Sequence, residues 1–206
     1  MPPRPAAAPR AGRRPGPSTT QAEVLAAARE TFAQNGFDRT SIRAVAAAAG
    51  VDPSLVMQQF GSKEGLYRAV IAQLPAYLAQ HVHVLDAPGG TFGERLSRLY
   101  FSAWSEPTLR TTFLAVLRSV GSNQIAVDVL VAAFASELLP RVSAEVGRPD
   151  ARDVLGPMAA QLMGTAMAAY VLRVPLFDGL DAQDLAAQTA PVLDAILDRA
   201  RARTGG

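Results

Sequence analysis

The side chains at positions 53–63 suit recognition of a polyanion with readable edges better than they suit bond making. Pro53, Ser54, Leu55, Met57 and Gln58 crowd the start of a short segment with helical spacing. A recognition helix reaches base edges with the residues near its N-terminus. The Gln58 amide can pair bidentately with adenine and Leu55 can touch a thymine methyl, a good bidentate pair being worth about 1–3 kcal/mol of discrimination. Just beyond, Gly61-Ser62-Lys63 opens another helix, whose free amides and positive dipole end favour a phosphate with Lys63 beside them. Other chemistry has little to work with. His81 and His83 are the only histidines and, two apart on a helix, point about 200° from each other, so they cannot share a metal. The absence of cysteine excludes disulfides, thiolate ligands and thiol nucleophiles. There is no phosphate-binding glycine loop, no Gly-x-Ser-x-Gly elbow and no carboxylate pair in a cleft motif. No enzyme activity, metal or cofactor is expected.

Positions 40–60, TSIRAVAAAAGVDPSLVMQQF, must hold these groups, and they read as two short helices joined by a tight turn. Thr40 or Ser41 can cap the first, ahead of an Ile42/Val45/Ala46/Ala49 stripe. Gly50 ends it by tolerating a left-handed backbone, which frees Val51 to turn inward. Asp52-Pro53 starts the second, with Asp as N-cap and Pro at the first helical position. The alanines at 46–49 let the helices cross closely as a rigid helix-turn-helix, with Val56 and Phe60 toward the core. Upstream, positions 21–32 form an amphipathic helix with Leu25, Ala28 and Phe32 on one face, ending near Asn35-Gly36.

The order of these signals is specific. An apolar helix with Phe32, then NGF at 35–37, TS at 40–41, an alanine-rich helix, AGV at 49–51, a short helix ending in Phe60, and GSKEGLY at 61–67 resembles the N-terminal domain of the TetR family of transcriptional repressors. The resemblance covers Gln21 to about Tyr67. It implies that Thr40, Ser41 and Lys63 hold phosphates, which position a protein on DNA without reading sequence. Arg43 matches a position that reaches a base, guanine being the natural partner of its fork. Where the family commonly has Tyr in helix three, this chain has Met57, followed by Gln58-Gln59. A thioether cannot make the phenol's hydrogen bond to phosphate, and the two glutamines are the available substitutes.

Length and composition bound the rest. The chain has 206 residues, 49% of them apolar, enough for a packed core. Residues 1–17 are rich in Pro, Gly and Arg without periodicity and read as a disordered basic arm, either a plain solvated tail or an added phosphate or minor-groove contact. Arg4, Arg10, Arg13 and Arg14 put +4 on positions 1–20, so with a net charge of +2 overall the remainder carries −2. DNA attraction must therefore come from local cations and helix N-termini. No run of 18 or more apolar residues and no secretory signal is evident, so a cytoplasmic protein without a membrane partner is expected.

Residues 18–66 are assigned to the DNA-binding domain and residues 67–206 to a larger helical domain. A connecting helix from about 62 to 80 is expected to bend at Pro75. Further helices open at the Thr91/Glu94 capping box, at Glu106-Pro107 and near Ser122-Asn123, followed by long segments from 151 and 181. No strand pattern appears, which gives an all-α fold of about nine helices. The resemblance implies that the larger domain senses a ligand and forms a homodimer. Tyr100, Trp104, Phe113, Phe134 and Met163 are the candidates to line a cavity for a small apolar effector. Gly164 and Ala168, four apart, would permit close approach of the last long helices across a dimer, matching a palindromic operator. Ligand entry would then shift the helix near Pro75 and change the half-site spacing. The competing reading is a helical small-molecule binding or scaffold protein without specific DNA binding.

Overall fold

A computed structural model of the chain describes residues 17–204, and every regular element among them is helical. The helices are α1 (Pro17–Asn35), α2 (Ile42–Ala49), α3 (Pro53–Phe60), α4 (Lys63–Ile71), α5 (Gln73–His81), α6 (Phe92–Ser105), α7 (Pro107–Leu117), α8 (Gln124–Ala133), α9 (Leu139–Val146), α10 (Arg152–Ala166) and α11 (Ala182–Thr204). Joining α4 to α5, and α8 to α9 through a π turn at Phe134–Leu138, leaves nine helices among the described residues, the all-α architecture expected. The arm at 1–17 lies outside the described residues except for Pro17, where α1 begins.

Local chemistry sets the boundaries. Ser41, Asp52, Ser62, Thr91, Glu106 and Asn123 each accept a backbone N–H as N-cap, satisfying donors that a helix start otherwise leaves orphaned. Gly50 closes α2 at φ +66°, a backbone that costs a Cβ-bearing residue energy. Proline 75 acts one turn earlier than expected. The helix breaks at Ala72, because Pro75 has no N–H for the Ile71 carbonyl and its ring crowds that same group.

Two apolar clusters fill the interior. In the first, Val24, Ala28 and Phe32 of α1 meet Val45, Ala46, Val56, Leu66 and Tyr67, and α7 completes it with Leu109, Ala115 and Val116. The fully buried stripe of α1 thus begins at Val24, with Leu25 at its edge. Phe32, Phe37 and Tyr67 pack ring to ring, at 4.9 Å between Phe32 and Tyr67 and 5.1 Å between Phe37 and Tyr67. Such pairs add about 0.5–1.5 kcal/mol beyond area burial. The second cluster holds the larger body together, and its most extensive packing is α6 against α11. There Asp194 of α11 accepts from the Thr91 hydroxyl at 2.6 Å and the Gly93 amide at 2.9 Å, anchoring a carboxylate on the N-terminus of α6.

One expectation from composition needs correction. The segment Arg152–Val171, α10 with the π turn Met167–Val171, is by length and mean hydropathy (1.3) long and apolar enough to cross a membrane. Val154, Leu155, Met158, Leu162 and Ala166 bury one side of it in the second cluster. The opposite side presents Gly156, Ala160 and Gly164 to the exterior.

Candidate nucleic-acid interface and effector cavity

Around the turn between α2 and α3, most of the expected reading residues are open to the outside. Ser41, Arg43, Ser54 and Gln58 are exposed, Met57 is 44% exposed, and Pro53 and Leu55 are half-buried. Arg43 makes no hydrogen bond or ion pair with the described residues, so its guanidinium is free to reach outward. Ser41 accepts the Ala44 amide at 3.1 Å, which leaves its hydroxyl proton for a donor role. At the head of α3, Asp52 accepts both the Ser54 amide at 2.8 Å and the Ser54 hydroxyl at 2.6 Å. These bonds hold the Asp52 carboxyl below its usual range, the hydroxyl having the larger effect. The cap therefore contributes stability above the unfolded carboxylate range and loses it as acid titrates the folded group.

Two of the phosphate candidates are engaged inside the protein. Thr40 is buried, and its hydroxyl donates to the Gly36 carbonyl at 2.8 Å, with the Thr31 carbonyl at 3.4 Å. It fills carbonyl positions that the end of α1 leaves unpaired, so its hydroxyl is not available to DNA. Lys63 turns back as well. Its ammonium donates to the carbonyls of Phe37 and Thr40, each at 3.1 Å, and sits 4.2 Å above the Phe37 ring. Two of its three protons are spent on tying α4 to the α1–α2 loop, which leaves one for a phosphate.

That loop is also held from the other side. The Phe37 amide donates to Ser119 Oγ at 3.0 Å, Arg118 donates to the Gln34 carbonyl at 2.9 Å, and the Tyr67 hydroxyl reaches the Ala115 carbonyl at 3.3 Å. No sequence motif marks this clamp, because its partners lie 48 to 84 residues apart. Ser119 is fully buried, and replacing it leaves the Phe37 N–H without an acceptor. Ser119→Ala is expected to destabilise the chain by about 1–3 kcal/mol in urea unfolding monitored by circular dichroism.

The same helix, α7, lines a cavity of about 70 Å³ in the larger body. Four of the five expected residues meet there: Tyr100, Phe113, Phe134 and Met163. Trp104 does not line it. Its ring is stacked between Phe113 at 4.8 Å and Tyr170 at 4.4 Å, behind the wall, and its indole N–H has no hydrogen-bond partner. Sequence reading missed Leu74 and Tyr77, which α5 brings to the cavity at helical spacing on the face with Leu78. Both π turns border the aromatic group, Phe134 opening one and Tyr170 lying in the other. His81, by contrast, stacks on Tyr77 at 4.2 Å, while His83 lies in the 3-10 turn after α5.

A helix-turn-helix with its reading face open, mounted on a helical body, defines the class of DNA-binding transcriptional regulators. Comparison with known proteins gives the family. The model for "Bacterial regulatory proteins, tetR family" matches residues 24–70, and that for "Tetracyclin repressor-like, C-terminal domain" matches residues 90–197. A TetR-family regulator from Streptomyces coelicolor A3 has a similar structure, with a TM-score of 0.58 and 32% identity over 91% of this chain and 99% of that one. The chain spans less than half the length of the curated relatives it matches. The regulator UidR of Escherichia coli K12 is 39% identical over 54 residues, 26% of this chain and 28% of that protein. The regulatory protein RaaS of Mycobacterium tuberculosis is 49% identical over 51 residues, 25% of this chain and 24% of that protein. The fold is shared at lower identity by SmeT in a complex with triclosan, at a TM-score of 0.63 and 20% identity over 88% of this chain and 91% of that one. The chain belongs to the TetR family of transcriptional regulators.

Proposed function

We infer that the protein is a ligand-responsive repressor that binds a palindromic operator as a homodimer, acting in the cytoplasm. Residues 18–66 form the DNA-binding domain in this reading and residues 67–206 the sensing and dimer-forming domain. The observation that carries it is the double role of α7. Phe113, Val116 and Leu117 line the cavity, while the residues just after them clamp the loop ahead of α2. A molecule entering the cavity must displace that helix, and the clamp passes the displacement to the reading face. Regulation requires only that the ligand bind the clamped and displaced states with different affinity.

On the DNA, Arg43, Pro53, Ser54, Leu55, Met57 and Gln58 face base edges, Ser41 faces a phosphate, and Lys63 contributes one further hydrogen bond. The dimer face is the outer side of α10 and α11, where Gly156 and Gly164 have open space beyond them and Val192 is 41% exposed. The test is selection of bound fragments from a random duplex library at near-physiological salt. A palindromic consensus is expected, with half-sites about 34–36 Å apart. Arg43→Ala is expected to weaken binding to that consensus about tenfold or more and to relax selectivity at one position of each half-site. Binding without any enrichment would favour the scaffold reading instead.

A further inference from the structure

The cavity is lined almost wholly by carbon, and no charged side chain reaches it. Its polar groups are two phenols, and they differ. The Tyr77 hydroxyl is 3.3 Å from Ser102 Oγ and is engaged there. The Tyr100 hydroxyl has no carbonyl or carboxylate acceptor among the described residues. The Tyr100 ring lies 6.4 Å from that of Trp104, whose N–H has no hydrogen-bond partner in a residue only 1% exposed. Burial pushes the Tyr100 phenol up, so it remains a neutral O–H donor throughout the working pH range. Neither of these two donors is paired with an acceptor among the described residues.

Resting on the ligand-responsive reading above, we propose that the effector is an uncharged, ring-sized molecule carrying one hydrogen-bond acceptor, received by the Tyr100 hydroxyl with the Trp104 N–H behind it. A formal charge has no partner in such a chamber and would pay its full desolvation. Size argues for the coupling. An apolar cavity of about 150 Å³ accepts benzene. At about 70 Å³ this one must widen to take a ring, and the walls that yield include Phe113 and Leu117 of α7. The ligand therefore favours the displaced state by occupying volume that the clamped state does not have.

Four single-ring probes of similar size test this on the full chain by isothermal titration calorimetry: acetophenone (neutral, one acceptor), cumene (neutral, no acceptor), benzoate and benzylammonium. Acetophenone and cumene are expected to bind, and both charged probes to bind at least about a hundredfold more weakly than acetophenone. Tyr100→Phe is expected to weaken acetophenone about three- to tenfold while leaving cumene within about twofold, which also shows that the variant is folded. Equal binding of a charged probe, no binding of either neutral probe, or equal loss of both neutral probes in Tyr100→Phe would overturn the proposal. DNA release by acetophenone is measured separately by fluorescence anisotropy. If the probes bind in the expected order without loosening DNA, the ligand class stands and the ligand-responsive reading fails.

Discussion

Gly65→Ala is expected to remove specific DNA binding and lower the melting temperature by about 5–10 °C. Gly65 lies in the first turn of α4, where the backbone passes so close to the end of α3 that a Cβ would collide with the Phe60 carbonyl oxygen. The Phe60 oxygen belongs to the backbone and cannot rotate away as the end of a side chain would. Relief requires α3 and α4 to separate, which moves Val56 out of the first cluster and tilts the side chains at 53–58 away from their common face. Overpacking of this kind costs about 1–3 kcal/mol, and a rigid partner places the cost toward the upper end. The measurements are a circular dichroism melt and anisotropy on the selected duplex. A variant with unchanged melting and unchanged affinity would show that α3 and α4 can spread without loss, and the rigid reading head would have to be abandoned.

Gly164→Arg is expected to convert the dimer to a monomer and to weaken specific DNA binding at least about a hundredfold, since each protomer then holds a single half-site. The position separates assembly from folding cleanly. A side chain added at Gly164 meets nothing within 4 Å in the single chain, and arginine is a better helix former than glycine. The monomer should therefore keep or slightly gain stability. In a dimer the same side chain would place a charge against the partner's apolar surface. Sedimentation velocity reads the mass, and thermal melting at low protein concentration reads the integrity of the chain. An unchanged dimer would move the assembly surface away from the outer side of α10.

Gly50 and Gly65 show where local and long-range information part. Gly50 announces its role within its own segment, because a helix that stops before Val51-Asp52-Pro53 needs a left-handed residue there. The N-caps at Ser41, Asp52, Ser62 and Thr91 are legible for the same reason: each bonds an amide two or three residues away. The order of helices, the helix-turn-helix and the exposed positions of α3 follow from interactions spanning a turn or less. The purpose of Gly65 is not legible in this way, since it depends on where α3 comes to rest.

The site residues divide along the same line. Arg43 and Gln58 are exposed because nothing near them in the fold competes for their polar groups. Thr40 and Lys63 have the same residue chemistry, yet unpaired carbonyls at the end of α1 and the ring of Phe37 draw them inward. Aromatic candidates for the cavity were recognisable by type, but Trp104 went behind the wall because Phe113 and Tyr170 offered it two stacking faces. The break expected at Pro75 fell at Ala72, since the carbonyl that a proline disturbs lies four residues before it. The sequence by itself determined the helices, their caps and the type of reading head, all products of short-range hydrogen bonding and apolar spacing. Only the tertiary structure decided which polar groups remain free for a partner, where the cavity lies and how α7 joins it to the DNA-binding face, because each depends on residues brought together from distant parts of the chain.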